Sequence, residues 1–266
     1  LHNRYFFANV YEGLDYPGEW YLDRNSGVLS YYPMPGEKLE EVQIVAPVVV
    51  GPLLKIEGDL LKNAFVEHIE FHGIQFSHTD TDRRGHNGVY RQGHGFLGGA
   101  VTATGLRHAV FSNCVFSQLG DYAIELNVGC SHNLIMESHI TDIGAGGILI
   151  GEADLSQFLA YREDSQIYDY REAGYSKAQI NDMEDRRVHY KSDAMFNTIE
   201  NNIINKIGTY WLGAYGINNR FASYTRIIHN EIFDTHWDPI ALDARWGHDN
   251  GFQGENYAHG NEVAYN

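Results

Sequence analysis

The sequence predicts an all-β protein built as a right-handed parallel β-helix, with an N-terminal β-hairpin or capping segment and long loop insertions. Two observations predict this solenoid: apolar residues recur in register along most of the chain, and asparagine recurs at one fixed point of the repeat. The composition agrees, because 43% hydrophobic residues, 28 glycines and only 6 prolines among 266 residues suffice for a large core.

The repeat consists of two apolar positions five residues apart. The pairs are Phe71 with Phe76, Phe111 with Phe116, Ile135 with Ile140, Ile199 with Ile204, and Ile227 with Ile232. Successive pairs start 40, 24, 64 and 28 residues apart, which indicates a coil of about 24 residues with insertions at fixed corners. A sandwich has no such columns and a propeller blade is longer, so a stacked solenoid explains the pattern.

Asparagine occupies a column three residues after the first apolar position. Asn202 and Asn230 therefore predict a ladder in which side-chain amides hydrogen-bond from coil to coil. Val263 and Asn266 restart the same pattern at the end of the sequence. We expect the remaining coils of the same polypeptide to cover this end, because a solenoid needs a cap over its last coil.

A third strand follows in each coil, and its alternation separates inward from outward positions. Its inward residues include Ile124, Ile148 and Ile240. One predicted outward column is Thr102, Glu125, Leu149, Asn218 and Ala241, and the next is Thr104, Asn127, Gly151, Arg220 and Asp243.

Residues 1–57 lack the repeat, and we expect them to form a β segment that caps the β-helix of residues 58–266. The stretch from Trp20 to Tyr32 predicts a hairpin with a glycine in its turn, and Val42 to Val50 predicts another strand. Insertions fall at about 79–98 and 153–193. The second is rich in tyrosine, which fits either a cleft wall or packing on the solenoid.

Charge and composition exclude several classes of function. A net charge of -16 repels phosphate backbones, so no nucleic-acid partner is expected, and no apolar run is long enough for membrane insertion. Two cysteines, Cys114 and Cys130, are too few for a disulfide framework and are predicted to be buried thiols. No metal-ligand spacing is recognisable, so we expect no cofactor, with calcium left open.

Acidic residues near the third strand suggest hydrolysis of a glycosidic bond, which takes two carboxyl groups. Glu152 and Asp243 stand two coils apart, about 10 Å at the backbone, so flexible side chains reach the spacing of an inverting pair. They are the predicted catalytic pair, with Asp238 in reserve. Glu125 and Asp243 are three coils apart, about 14 Å, which is too far for a pair.

Polar and aromatic side chains cluster near the same strand and suit the hydroxyls and faces of a poly- or oligosaccharide. Two alternatives stay open: a polysaccharide lyase with an arginine base, and a non-catalytic glycan-binding β-helix or adhesin. The predicted substrate-binding residues are Glu125, Tyr215, Asn218, Arg220, His236, Trp237, Arg245, Trp246 and His248.

Several stretches resemble the bacterial parallel β-helix proteins related to family 141 of the glycoside hydrolases. They are residues 14–23 (LDYPGEWYLD), 27–29 (GVL), 33–37 (PMPGE), 142–148 (DIGAGGI) with Gly151-Glu152, 215–217 (YGI) and 229–234 (HNEIFD). The resemblance implies a secreted or periplasmic glycan-degrading enzyme, since the family includes α-L-fucosidases and xylanases. Glu152 matches the family pattern, whereas residues 239–244 depart from its Gly-Ile-Ser-x-Gly-Trp stretch.

Overall fold

The computed structural model describes residues 9–81, 93, 97–151, 194–220, 222–243 and 260–266, without the side chains of Leu61 and Asp243. The chain divides into two compact units, Leu1–Ala46 and Pro47–Asn266. Among the described residues, no helix has the length and apolar character needed to cross a membrane.

The N-terminal unit contains the predicted hairpin. Strands β1 (Trp20–Asp23) and β2 (Val28–Tyr31) pair antiparallel, and Gly27 takes the left-handed conformation in the turn between them. Short 3-10 helices cover Tyr11–Gly13 and Leu39–Glu41. The hairpin prediction is therefore confirmed.

The strand predicted from Val42 to Val50 is wrong. Residues 42–49 form no strand, and Val50 makes only an isolated parallel bridge to Asp80. The valines gave the segment β propensity, but Val48 is 89% exposed and Pro47 has no N–H to donate. Propensity without a neighbouring strand did not produce a strand here.

The described residues of the second unit form short strands and a 3-10 helix, Leu60–Lys62. In the described part of the chain its strands are β3 (Leu54–Glu57), β4 (Val66–Glu67), β5 (Glu70–His72), β6 (Gln75–Ser77), β7 (Gly99–Thr104), β8 (Leu106–Arg107), β9 (Val110–Ser112), β10 (Val115–Leu119), β11 (Tyr122–Leu126), β12 (Leu134–Met136), β13 (His139–Ile143), β14 (Ile148–Ile150), β15 (Thr198–Glu200), β16 (Ile203–Ile207), β17 (Ile217–Arg220), β18 (Arg226–Ile228), β19 (Glu231–Thr235), β20 (Ile240–Asp243) and β21 (Glu262–Ala264).

These strands form three parallel sheets. Sheet A has the order β20-β17-β14-β11-β7-β3, sheet B has β21-β18-β15-β12-β9-β5, and sheet C has β19-β16-β13-β10-β6. A further short pair joins β4 to β8. The chain passes through sheets B, C and A in each coil and then starts the next coil, so the fold is a parallel β-helix, as the sequence predicts.

The predicted apolar columns coincide with the residue pairs that the strands of the sheets form. Phe111 pairs with Phe71 and Ile135 in sheet B, and Phe116 pairs with Phe76 and Ile140 in sheet C. These side chains fill the interior, where the ring centroids of Phe71 and Phe111 stack 4.6 Å apart. Their burial removes apolar surface from water and is the main stabilising contribution to the coils.

The predicted asparagine ladder is present at the corner between sheets B and C. Nδ2 of Asn202 donates to Oδ1 of Asn230 at 2.9 Å, and Nδ2 of Asn230 donates to Oδ1 of Asn266 at 2.9 Å. A second ladder, which the sequence reasoning missed, links Asn133 to Asn197 at 3.0 Å before sheet B. Cys114 and Cys130 are buried free thiols, as predicted.

A column of exposed rings runs along the corner before sheet B. The rings belong to His68, His108, His132, Phe196 and Tyr224, whose φ angles all lie between 52° and 59°. Neighbouring ring centroids are 4.9 to 5.0 Å apart. We call this column the ring ladder. Stacking between coils accompanies a backbone conformation that these residue types seldom adopt.

Candidate functional site

Sheet A carries two columns of outward side chains in the predicted register. Glu125 pairs with Thr102 on one side and Leu149 on the other, and Leu149 pairs with Asn218. In the second column Arg220 pairs with Asp243. Stacked strands lie about 4.8 Å apart, so neighbouring side chains in one column contact each other.

The residue Glu125 is partly exposed on this face. The Thr102 hydroxyl lies 3.1 Å from Oε2 of Glu125 and 3.1 Å from the Gly99 carbonyl oxygen. Burial raises the pKa of Glu125 above its ordinary value, while the Arg220 charge and hydrogen bonds from Thr102 and Asn127 act in the opposite direction. Since burial is the largest of these causes, the carboxyl holds a proton at a higher pH than a solvated glutamate.

Arg220 is buried on the same face, with 3% of its surface exposed. Its guanidinium donates through Nη2 to the carbonyl oxygen of Gly151 at 3.3 Å. Gly151 directly follows β14, the strand between those of Arg220 and Glu125, and its N–H donates to the Leu126 carbonyl oxygen. The Arg220 charge is close enough to the Glu125 carboxyl to favour its ionised form.

Asn218 occupies the outward column between these groups and is 1% exposed. Among the residues that the structure describes, neither Oδ1 nor Nδ2 of Asn218 has a hydrogen-bond partner. An unsatisfied buried polar group costs about 1–3 kcal/mol. Tyr215, the neighbouring predicted residue, is also buried at 6% exposure.

Gly93 covers this part of the sheet. The Tyr122 hydroxyl donates to the Gly93 carbonyl oxygen at 2.6 Å, and the Gly93 N–H donates to Gly213. A Cβ at Gly93 would lie 2.6 Å from the Tyr215 ring and 3.2 Å from Nδ2 of Asn218. Burial also raises the pKa of Tyr122 to about 12, so this phenol stays protonated and keeps donating.

An apolar cluster borders the polar face. It contains Leu97, Tyr122, Ala145, Leu149, Trp211 and Ala214. Nε1 of Trp211 donates to the Thr81 hydroxyl at 3.2 Å, and that hydroxyl donates to Asp121 at 2.6 Å. The cluster fixes the segment around residue 211 beside sheet A. Sequence reasoning missed Tyr122 and Trp211, although Tyr122 lies on strand β11 of the predicted repeat, and it placed Thr102 in the outward column without giving it a role.

His236, Trp237 and Asp238 lie at the corner that leads into β20, and all three are exposed. Nδ1 of His236 lies 3.2 Å from the Ile207 carbonyl oxygen, and the Thr235 hydroxyl donates to the Trp237 carbonyl at 2.7 Å. Contacts from the His236 and Thr235 side chains to backbone carbonyls therefore hold this corner. The Trp237 ring, 46% exposed, presents an open aromatic surface.

The structure brings together Glu125, Tyr215, Asn218 and Arg220 of the predicted residues on the face of sheet A. Asp243 is placed on β20 by its backbone alone. Glu152, Arg245, Trp246 and His248, together with the 153–193 insertion, lie outside the described residues. Within the described ranges, no group of three or more His, Cys, Asp or Glu side chains is arranged to hold a metal ion.

Comparison with known proteins gives a fold match. No family model and no curated protein matches this chain. A solved structure named "Glycoside hydrolase" superposes with a TM-score of 0.58 at 19% identity, over 87% of this chain. The matched region is 40% of that structure's chain, so this chain spans well under half of its length. The strand topology and this comparison together place the chain in the class of parallel β-helix proteins.

Proposed function

We propose that the outer face of sheet A cleaves glycosidic bonds in a poly- or oligosaccharide by hydrolysis. The observation that carries the proposal is the partly buried Glu125 carboxyl beside the buried Arg220, on a rigid stacked sheet. Its raised pKa supplies a carboxylic acid able to protonate a leaving oxygen. The fold likeness to a glycoside hydrolase supports the same chemistry, and membership of family 141 is the finer proposal.

The predicted catalytic pair, Glu152 and Asp243, stays part of this proposal, with Asp238 in reserve. Asp243 stands on β20 opposite Arg220 of β17, at the same level as the polar face. We propose that Trp237, His236, Arg245, Trp246 and His248 bind sugar beside it, because indoles stack on sugar rings and arginine bonds their hydroxyls. A polymeric glycan substrate also suits a secreted or periplasmic protein.

The lyase alternative needs an arginine or lysine that can take a proton from an acidic sugar. Arg220 is buried and donates to Gly151, so its guanidinium is held as a charge and is not presented as a base. The described residues therefore favour hydrolysis. A non-catalytic glycan-binding β-helix is the second outcome that the experiment must separate.

The experiment digests a panel of plant and host glycans with the full-length protein, once with calcium and once with EDTA. Reducing ends and the ultraviolet absorbance of unsaturated products are followed together. We expect reducing ends without absorbance. Absorbance rising in step would establish a lyase, and binding without either signal would establish a non-catalytic protein. Glu152→Gln and Asp243→Asn should each reduce turnover at least 100-fold, and changes within a few-fold would remove that pair.

A further inference from the structure

A groove of about 240 Å³ lies along the corner between sheets B and C, and the proposed function makes no use of it. We call it the corner groove. Its described lining residues are Asn113, Cys114, Val115, Glu137, Ser138, His139, Asn201 and Ile203. We infer that the corner groove is a second, non-catalytic binding site for a neutral oligosaccharide. The inference goes beyond the proposed function, because binding here needs no bond cleavage.

The corner groove is separate from the candidate catalytic face. Each coil passes from sheet B to sheet C and then to sheet A, so the corner between B and C does not border sheet A. Asn113, Glu137 and Asn201 stand at the same point of three successive coils, two residues before the paired strand positions of sheet C. Two steps of about 4.8 Å place the outer two about 10 Å apart, which suits a short chain of linked sugars.

The corner residues of the groove have hydrogen-bonding capacity to spare. Asn113, Glu137 and Asn201 are all exposed. Nδ2 of Asn113 lies 3.4 Å from Oε2 of Glu137, which is long for a hydrogen bond. A carboxylate has about four acceptor sites, and each amide both donates and accepts. Hydroxyl groups of a ligand can therefore donate to Glu137 and exchange hydrogen bonds with the two amides.

His139 also lines the corner groove, and one of its ring nitrogens is unpaired. Among the residues that the structure describes, Nε2 of His139 has no hydrogen-bond partner and is shielded from water. Leaving a shielded polar atom unpaired costs free energy, so any group that pairs it gains that free energy. The imidazole turns readily about its Cβ–Cγ bond. A ligand hydroxyl held by Glu137 would then give this nitrogen a partner.

The lining combines these polar groups with aliphatic side chains, as a sugar ring requires. Val115 and Ile203 stand on either side of His139 in sheet C, and Ile203 is 42% exposed. A sugar ring has C–H faces as well as hydroxyls, so one ligand can cover the aliphatic side chains and bond the polar ones. The groove is too small for the area that a stable protein partner buries. One carboxylate and one imidazole are too few for a metal ion.

The charges around the corner groove favour a neutral glycan over an acidic one. The described lining contains no lysine or arginine. Glu200, whose carbonyl accepts the Glu137 N–H, and Glu231, on the neighbouring strand β19, add two further acidic side chains. Arg226, whose charge reaches Glu200, is engaged with Glu262 at 2.8 Å. These carboxylates repel uronic acids and sulfated sugars, whereas neutral hydroxyls are not repelled.

Titration calorimetry on the full-length protein tests the inference. The probes are three neutral hexasaccharides, xylohexaose, cellohexaose and mannohexaose, and the acidic hexagalacturonate. We expect at least one neutral probe to bind, and hexagalacturonate to bind at least about 10-fold more weakly. Glu137→Gln and His139→Phe should each weaken binding of the neutral probe about 10-fold, because each removes hydrogen-bonding capacity while keeping the size of the side chain. Reducing ends are measured in the same samples, so that cleavage of a probe is recognised.

Matched controls lie outside the described lining. Gln75→Ala changes an exposed residue in the same column of sheet C as His139, and Glu70→Gln removes an exposed carboxyl as Glu137→Gln does. Trp237→Ala removes a ring proposed for the other site. All three should bind the neutral probe within about twofold of the wild type. Melting temperatures check folding, and the exposed position of Glu137 keeps the test valid if His139→Phe unfolds.

The outcomes separate this inference from the proposed function. Unchanged binding in Glu137→Gln and His139→Phe, or equal losses in the controls, would overturn the corner groove as a site. Loss only in Trp237→Ala would assign the sugar to the other site and overturn it too. A wild type that releases reducing ends but binds no neutral probe at the corner groove would overturn this inference alone. Binding that depends on Glu137 in a protein silent on every glycan would support the inference and overturn the proposed function.

Discussion

Asn202 and Asn230 are joined by a side-chain hydrogen bond of 2.9 Å, and each amide also satisfies backbone groups of the coil below. Oδ1 of Asn202 accepts the Ser138 N–H, and its Nδ2 donates to the Ile135 carbonyl. Both side chains are buried. One amide therefore pairs two backbone groups of the preceding coil and bonds the side chain of the next.

Replacing Asn202 with alanine should destabilise the β-helix by about 3 kcal/mol. The change leaves the Ser138 N–H and the Ile135 carbonyl buried without their Asn202 partner, whereas Oδ1 of Asn230 keeps the backbone N–H of residue 202. Urea unfolding measures the loss. Glu231→Ala, an exposed position on the strand beside Asn230, should change stability by less than about 0.5 kcal/mol. Similar losses of stability in both variants would show that the asparagine ladder does not contribute more to stability than an exposed side chain.

The sequence predicted the interior of this fold well because the interior repeats. Each coil presents the same position to the core, so the spacing of apolar residues along the sequence predicts the pairing of Phe116 with Ile140. The ring ladder was not predicted for the opposite reason. Its positive φ usually signals glycine or asparagine, but His132 and Phe196 occupy it here because the corner geometry recurs whatever the side chain.

The sequence predicted the strand register of the site residues but not the burial of their side chains. Asn218 and Arg220 lie in the predicted outward columns, yet both are covered. Strand alternation predicts which side of the sheet a residue faces. It does not predict which other residues of the chain cover that side. Coverage depends on residues such as Gly93, whose position follows from a contact with Tyr122, distant in sequence.

Gly151 is required for the Arg220 strand to pack against its neighbour. Its φ is +76°, and a Cβ there would lie 1.8 Å from the Arg220 carbonyl oxygen. Gly151→Ala should therefore cost about 3 kcal/mol, from backbone strain and displaced packing. Gly73→Ala is the matched control, because Gly73 has φ +65° but open space around its Cβ position. It should cost about 1 kcal/mol, so equal losses in thermal unfolding would argue against crowding at Gly151.

Relative to the wild type, Glu125→Gln should gain stability as the pH rises above the ordinary pKa of a glutamate, measured between pH 4 and pH 8. Burial raises the pKa of Glu125 in the folded state. Above the ordinary pKa of a glutamate, the unfolded chain ionises freely while the folded chain resists ionisation, so the wild type loses stability there. Glutamine resembles the protonated acid and has no such loss. Melting temperatures of both proteins across this range measure the effect, and a constant difference between them would contradict it.

His132, in the middle of the ring ladder, should make the β-helix less stable in acid. Burial lowers the pKa of His132, and the neighbouring His108 and Arg107 lower it further. A histidine whose folded-state pKa is depressed binds its proton more readily when unfolded, so stability falls as pH drops below about 6.5.

His132→Phe removes the proton and keeps a ring between His108 and Phe196, which stack on His132 at 5.0 Å on either side. We expect its melting temperature to exceed the wild-type value by several degrees more at pH 5 than at pH 7.5. His229→Phe is the matched control, because His229 has the same left-handed backbone but stacks on Tyr265, which carries no positive charge. If both variants gain equally in acid, repulsion within the ring ladder is not the cause.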